Sequence, residues 1–137
     1  AFVPPELVAR FCTRATQIHM YEALAALLLL ETFRAFLTSR ELVLFVDNAS
    51  AKGSLVRGFS SAEDLCAVAS AFWEVCAHGR INPYFEWVPS KLNVADGPSR
   101  PEEPGSMAFL QQIGARYVTP RLEVWARVED YLARLGL

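Results

Sequence analysis

Three acidic residues that lie far apart in the sequence have the chemistry to form a metal site together. They are Glu22, Asp47 and Asp96. A cluster of carboxylates repels itself unless a cation neutralises it, and Mg²⁺ is the usual ion where all ligands are oxygens. Two such ions about 4 Å apart suit phosphodiester hydrolysis, because one activates water and the other stabilises the leaving 3′ oxygen. This chemistry requires a fold that brings the three acids together.

Asp47 follows the most strand-like stretch of the chain. Residues 42–46 read Leu-Val-Leu-Phe-Val, a short apolar run of largely β-favouring residues after a polar corner. We expect a strand buried on both faces, as in the parallel part of an α/β sheet. Ligands of open α/β sheets bind at the carboxyl edge, so Asp47 is a candidate site residue. An ordinary turn or helix-cap aspartate is the alternative interpretation.

Glu22 lies near the start of a long predicted helix. Residues 16–37 are rich in Ala, Leu and Glu and contain neither Gly nor Pro, which favours a helix throughout. Apolar surroundings flank Glu22, so its carboxylate needs solvent, a partner or a bound cation to offset the cost of burial. A first-turn glutamate favoured by the helix dipole is the alternative interpretation.

Asp96 is placed by a second predicted strand. We expect a helix from about residue 60 to residue 78 and a strand over residues 81–88, which Pro89 ends. A strand–helix–strand unit makes the two strands parallel, so their carboxyl ends share one edge. The long helix rises ~22 Å from Glu22, and the first strand returns ~17–20 Å to that edge. Asp96 follows in the loop after the second strand, so the three acids are predicted to converge.

The composition is that of one soluble globular domain. The chain has 137 residues, 53% of them hydrophobic, and a net charge of −2, so any nucleic-acid binding must be local. Its longest apolar run, residues 23–30, is far shorter than the ~20 residues that span a bilayer. No signal-like segment opens the sequence, and the three cysteines have no CxxC spacing. We expect an intracellular protein of the cytoplasm or nucleus, not secreted, with reduced and buried thiols.

Residues 101–105, Pro-Glu-Glu-Pro-Gly, are typical of a linker that divides the chain into two parts. Residues 1–104 form the predicted domain, and residues 105–137 form a C-terminal helical extension. We expect helices over residues 106–113 and 120–135 within that extension. The apolar face of the second helix requires a partner surface.

Three segments, in this order, carry a resemblance to a known family. They are residues 17–22, 44–51 and 86–100. Together they resemble the ribonuclease H domain of retroelement reverse transcriptases, over roughly residues 3–100. The last segment contains the pattern Asn-x-Ala-Asp-x-x-Ser-Arg, which is closer to the retroelement branch than to the cellular enzymes.

The resemblance implies a ribonuclease H-like, three-layer α/β/α domain that cuts the RNA strand of RNA·DNA hybrids. Glu22, Asp47 and Asp96 would be catalytic residues and ligands of two Mg²⁺ ions, for which Mn²⁺ can substitute. Groups near the hybrid backbone would be Asn48, Ser50, Lys52, Lys91, Asn93 and Arg100. A solvated surface position is the alternative interpretation for each of these six.

The sequence departs from the family pattern at its start. The family's first catalytic Asp lies on a strand ahead of the long helix and bridges both metal ions, and neither Asp64 nor Asp130 fits that position. We therefore expect poor metal binding by this chain alone, and a sheet of only two parallel strands. Such a sheet is marginal and tends to acquire a further strand, so another chain or an upstream fragment is expected to complete it.

Two other functions remain open at this point. The chain can be a catalytically inactive ribonuclease H-like remnant that serves as a structural or interaction subunit of a larger assembly. It can also be another nuclease or an integrase of the same superfamily, which would cut DNA instead. The missing Asp favours the inactive remnant, whereas three acids in the expected places favour the enzyme.

Overall fold

A computed structural model describes residues 3–137 of the chain. These residues form helices and a two-stranded parallel sheet, which confirms a mixed α/β fold with two parallel strands. In chain order the elements are α1 (Pro5–Val8), α2 (Ile18–Leu37), β1 (Glu41–Val46), α3 (Ala49–Arg57), α4 (Glu63–Gly79), β2 (Asn82–Trp87), a 3₁₀ turn (Ser90–Leu92), α5 (Asp96–Ser99), α6 (Ala108–Gln112) and α7 (Val124–Arg134). Within the same residues, no helix is both long and apolar enough to cross a membrane.

The two strands are parallel, as the sequence predicts. Glu41 lies opposite Asn82, and Val46 lies opposite Trp87. The carboxyl ends of β1 and β2 are therefore neighbours at one edge of the sheet. The helix α2, which precedes β1, begins two residues after the predicted start and ends at the predicted residue.

The sheet is covered on one face only in the described part of the chain. Leu44 and Phe85 are buried under the helices, and the rings of Phe85 and Phe72 on α4 lie 5.5 Å apart. On the opposite face Val43 is 53% exposed and Phe45 is 65% exposed. The expectation of a strand buried on both faces is wrong, because α7 packs on α4 and α2 rather than on the free face of the sheet. The described residues thus form two layers, where the resemblance implies three.

The C-terminal helix α7 shares one core with α2 and α4. Leu27 of α2, Phe72 of α4 and both Val128 and Leu132 of α7 are fully buried in a single hydrophobic cluster. Burying a side chain of this size stabilises the fold by about 1.5–3 kcal/mol. The apolar face of α7 therefore has its partner surface within this chain.

The ends of α4 differ from the prediction by a few residues. The helix begins after Ala62, whose side chain supplies no cap, while Ser60 Oγ accepts a hydrogen bond from the Ala62 N–H. At the other end Gly79 is still helical, and Arg80 takes the left-handed conformation with φ 51°. The shorter helix α3 ends at Arg57, and Gly58 caps it in the left-handed conformation with φ 68°.

The cysteines are free thiols with different surroundings. Cys76 on α4 is buried, and burial raises the pKa of its thiol to about 12. Cys12 and Cys66 are partly exposed, and the Cys66 thiol donates a hydrogen bond of 2.8 Å to the Ser60 carbonyl. Buried thiols are thus confirmed for Cys76 alone.

A buried ion pair fixes the segment that precedes α2. The Asp64 side chain, in the first turn of α4, has no exposed surface, and its oxygens accept hydrogen bonds from Arg14 at 2.6 and 2.7 Å. The Cys12 N–H donates a third bond of 2.9 Å to Asp64. Arg14 also donates to the side chain of Gln17, the residue before α2, at 3.1 Å. This network therefore sets where the Glu22-bearing helix begins.

Removing the Asp64 carboxylate should destabilise the fold strongly. Asp64→Ala leaves the largely buried Arg14 guanidinium and the Cys12 N–H without their acceptor, so we expect a loss of about 3 kcal/mol in the free energy of unfolding. Urea unfolding measures this loss. The matched control is Glu63→Ala, an exposed acid in the same helical turn, which should change stability by less than about 0.5 kcal/mol. Equal losses in the two variants would contradict a specific role for the ion pair.

Candidate functional site

The three candidate acids line one pocket at the carboxyl edge of the sheet. Glu22 is in the second turn of α2, Asp47 is the first residue after β1, and Asp96 is the first residue of α5. The pocket has a volume of about 380 Å³, and Asn48 and Arg100 also contribute to its wall. Side chains from three separate elements therefore meet at this edge.

The position of Glu22 in this pocket disfavours the ionised form of its carboxyl group. Its pKa is raised, first because burial removes solvent from the carboxylate and then because Asp47 and Asp96 repel its negative charge. All three carboxylates contribute to the wall of this pocket, so their negative charges lie near one another. A bound cation or a proton on Glu22 would relieve this repulsion.

Asp47 is held from two sides. The Asn93 amide donates a hydrogen bond of 3.1 Å to Asp47 Oδ2, and the Trp87 indole N–H donates one of 3.2 Å to the Asp47 carbonyl. Asn93 is thus placed on the Asp47 carboxylate, where it fixes the orientation of that group. Such contacts around a candidate metal ligand orient it in the way second-layer partners do at known metal sites.

Arg100 lies beside the third acid. One guanidinium nitrogen is 3.7 Å from Asp96 Oδ2, and the other is 3.7 Å from Glu103 Oε1. Both pairs are partly solvent-exposed, and exposed ion pairs contribute at most about 1 kcal/mol. Arg100 therefore reduces the negative charge of the pocket only in part.

Asn48 serves the local fold as well as the pocket wall. Its side-chain oxygen accepts a hydrogen bond of 2.9 Å from the Ala51 N–H, which makes it the N-cap of α3. The same oxygen lies 3.2 Å from Nδ1 of His19 on α2. Asn48 thereby connects the residue after Asp47 to the helix that carries Glu22.

The remaining predicted contact residues lie outside the pocket wall. Ser50 and Lys52 are on α3, and Lys91 is exposed on the 3₁₀ turn. Sequence reasoning did not identify the other residues that line or brace the pocket, which are Ile18, His19, Trp87, Ser90 and Ser99. For Ile18 and His19 the sequence does offer a signal, because they lie four and three residues before Glu22 and share its helix face.

The three acids of the pocket offer the type of ligand that a hard divalent cation prefers. Glu22, Asp47 and Asp96 offer only carboxylate oxygens, which Mg²⁺ and Mn²⁺ accept as ligands. Within residues 3–137, however, no three His, Cys, Asp or Glu side chains stand in a group that could hold a metal ion as arranged. The chemistry of the residues thus fits a metal, whereas their present spacing is wider than a ligand cage.

Comparison with known proteins found no relative of this chain. The sequence matches no family model, and neither the curated proteins nor the solved structures contain a match. Function has to be inferred from the chain's own residues and their geometry. The most informative feature is the convergence of three carboxylates from three elements.

Replacing Glu22 by its neutral analogue should stabilise the protein in metal-free buffer. Because its pKa is raised from the ordinary value of 4.5, the ionised carboxylate costs stability at pH values above its folded pKa. Glu22→Gln should therefore gain roughly 0.2–1 kcal/mol in the free energy of unfolding at pH 7. The gain should disappear as the pH falls below 4.5, where glutamate is protonated in both states.

Chemical unfolding at several pH values checks this dependence. The control is Glu6→Gln, an exposed glutamate on α1. We expect it to change stability by less than about 0.5 kcal/mol at every pH. A gain for Glu22→Gln that does not vary with pH would show that packing, rather than charge repulsion, explains it.

Proposed function

We propose that this chain is a metal-dependent phosphodiester hydrolase of the ribonuclease H-like superfamily. Within that class, we propose the ribonuclease H domain of a retroelement reverse transcriptase, which cleaves the RNA strand of RNA·DNA hybrids. The observation that carries the proposal is that Glu22, Asp47 and Asp96 line one pocket although they come from three separate elements. The order and spacing of the segments around them suggest the substrate class.

The three carboxylates are the proposed ligands of two Mg²⁺ ions, or of Mn²⁺ in their place. Bound ions would supply an activated water and stabilise the leaving 3′ oxygen. The raised pKa of Glu22 supports cation binding, because a divalent ion would offset the repulsion from Asp47 and Asp96. Asn93 contributes by holding the Asp47 carboxylate in one orientation.

The hybrid backbone would be bound by groups next to the pocket. Lys91 follows Ser90 of the pocket wall, and Ser50 and Lys52 follow Asn48 on α3. Lysine ammonium groups bind phosphates as point charges, and a serine hydroxyl can donate a hydrogen bond to them. Because the net charge of the chain is −2, these contacts would have to act locally.

A partner strand beside β1 is the second part of the proposal. The described sheet has only two strands, so β1 has an edge without a strand neighbour within residues 3–137. The carbonyls of Arg40 and Val46 accept hydrogen bonds from the β2 side. Because backbone groups alternate between the two edges of a strand, Val43 and Phe45 direct theirs to the other edge. An upstream fragment or another chain can pair there and supply the first catalytic Asp of the family pattern.

An inactive remnant within a larger assembly is the second candidate function. Arg100 lies 3.7 Å from Asp96 and already supplies positive charge where the active enzyme would need a metal ion. The exposed apolar residues Val43 and Phe45 also offer a contact surface to another subunit. In this case the pocket would persist without catalysis.

Cleavage assays separate the two functions. The chain and a version extended upstream are incubated with an RNA·DNA hybrid and Mg²⁺ or Mn²⁺. We expect cleavage by the extended version and a loss of at least about 100-fold in rate for its Asp47→Asn variant, because an amide is a much poorer ligand for these ions. The matched control, Asp130→Asn, changes an exposed acid on α7 and should leave the rate unchanged.

Each outcome of these assays has a distinct meaning. No cleavage by either version supports the inactive remnant. Cleavage of duplex DNA in preference to the hybrid indicates another nuclease or an integrase of the superfamily. Equal activity of the Asp47→Asn variant and its parent would contradict a catalytic role for the pocket.

Hydrogen exchange tests the partner strand independently of catalysis. In the chain alone, the Val43 and Phe45 amides should exchange at least about 10-fold faster than the Leu44 amide, whose N–H faces β2. In the upstream-extended version, protection should rise for Val43 and Phe45 and change little for Leu44. The idea is rejected if the isolated chain is a monomer in which all three amides are equally protected.

A further inference from the structure

We propose that His19 is a positioning residue that holds the start of α2, which carries Glu22, to the segment after Asp47 through a hydrogen bond to Asn48. The hydrogen bond joins the first turn of α2 to the residue that follows Asp47. Only the catalytic consequence of this arrangement rests on the proposed function. The structural role of His19 stands on the geometry alone.

The helix cap at Asn48 determines which atom donates in this bond. Asn48 Oδ1 accepts the Ala51 N–H at 2.9 Å, so the amide oxygen, not the amide nitrogen, faces the start of α3. The same oxygen lies 3.2 Å from His19 Nδ1. Because a carbonyl oxygen can only accept, His19 must carry a proton on Nδ1. The neutral ring is therefore the Nδ1–H tautomer.

The position of His19 on α2 explains why the bond matters for the pocket. His19 and Glu22 are three residues apart and so lie on the same face of the helix, one turn from each other. Asn48 follows Asp47 directly. The bond thus ties the two segments together at the point where each presents its carboxylate.

Within residues 3–137, one side-chain hydrogen bond connects α2 with the segment that contains Asp47. Among residues 3–137, the bond between His19 and Asn48 is the one side-chain hydrogen bond that joins α2 to the segment 41–57. The N-cap of α2, Gln17, makes no side-chain cap bond to the helix. His19 does not line the carboxylate pocket, so it acts through Asn48 rather than on a substrate or an ion.

Three substitutions distinguish positioning from simple packing. Asn places an amide N–H donor at the δ position that His19 Nδ1 occupies, Gln places its donor one bond further out, and Ala has no donor. His19→Asn should therefore keep the bridge, whereas His19→Gln and His19→Ala should lose it. Gln and Asn are both neutral amides, so the pair is a matched comparison.

The first measurement uses NMR on the metal-free chain. At about pH 8, the ¹⁵N shifts should identify Nδ1 as the protonated nitrogen of His19. Residual dipolar couplings report the orientation of α2 relative to β1. This orientation should be the same in the parent chain and His19→Asn, and should differ in His19→Gln and His19→Ala.

The second measurement is the affinity of the upstream-extended version for Mn²⁺, followed by electron paramagnetic resonance. Loss of a partner that orients metal ligands typically costs 10–100-fold in affinity. We expect His19→Gln and His19→Ala to weaken binding about 10-fold, and His19→Asn to remain within about 3-fold of the parent. A KM and kcat comparison on the upstream-extended version then reports whether the loss reaches catalysis.

The results can contradict the proposed function and the role of His19 independently of each other. If the upstream-extended version binds no Mn²⁺ and cleaves nothing, the proposed function fails, and the NMR results on the metal-free chain still decide the role of His19. The positioning role is overturned if His19 carries its proton on Nε2 alone, or if His19→Asn alters the α2 orientation as much as His19→Ala does. Equal Mn²⁺ affinity in all four proteins, where the parent binds the ion, would also overturn it.

Discussion

The parallel pairing of β1 with β2 is the constraint on which the rest of the structure depends. Since both strands run in the same direction, their last residues, Val46 and Trp87, lie side by side, and the chain leaves both strands at one edge. Asp47 follows β1 and Asp96 lies in the segment after β2, so both are at that edge. An antiparallel pair would place them roughly 17–20 Å apart, at opposite ends of the sheet. Glu22 reaches the same edge because α2 and β1 run in opposite directions over similar lengths.

Two partly or fully buried acids show how differently the fold treats negative charge. Asp64 is completely buried, but it accepts hydrogen bonds from Arg14 and from the Cys12 N–H, so its charge is compensated inside the protein. Glu22 is only partly buried, yet its pKa is raised by the loss of solvent and by repulsion from Asp47 and Asp96. A fold selected for stability alone would not assemble carboxylates in this way. The cost at the pocket is the physical argument for the cation that we propose binds there.

The sequence alone predicts those elements whose local residue pattern agrees with the way they pack. The strand before Asp47 and the helix around Glu22 lie where periodicity and composition predict, and their lengths imply that the two acids meet at one edge. The parallel second strand then adds Asp96. The free face of the sheet could not be predicted. An apolar run reads the same whether one or both faces are covered, so Val43 and Phe45 looked like core residues. Hydrogen bonds around the site depend on side-chain rotamers, which periodicity does not encode.

The stability of β1 and the geometry of the pocket are linked because β1 serves both. Its carboxyl end presents Asp47, and its length carries the edge that lacks a strand neighbour within the described residues. A single hydrogen bond such as that between His19 and Asn48 contributes only about 0.5–1.5 kcal/mol, too little to order the edge of a two-stranded sheet alone. A strand paired along β1 and a cation bound by the carboxylates would each favour the same ordered conformation. By thermodynamic linkage, each would then strengthen the binding of the other.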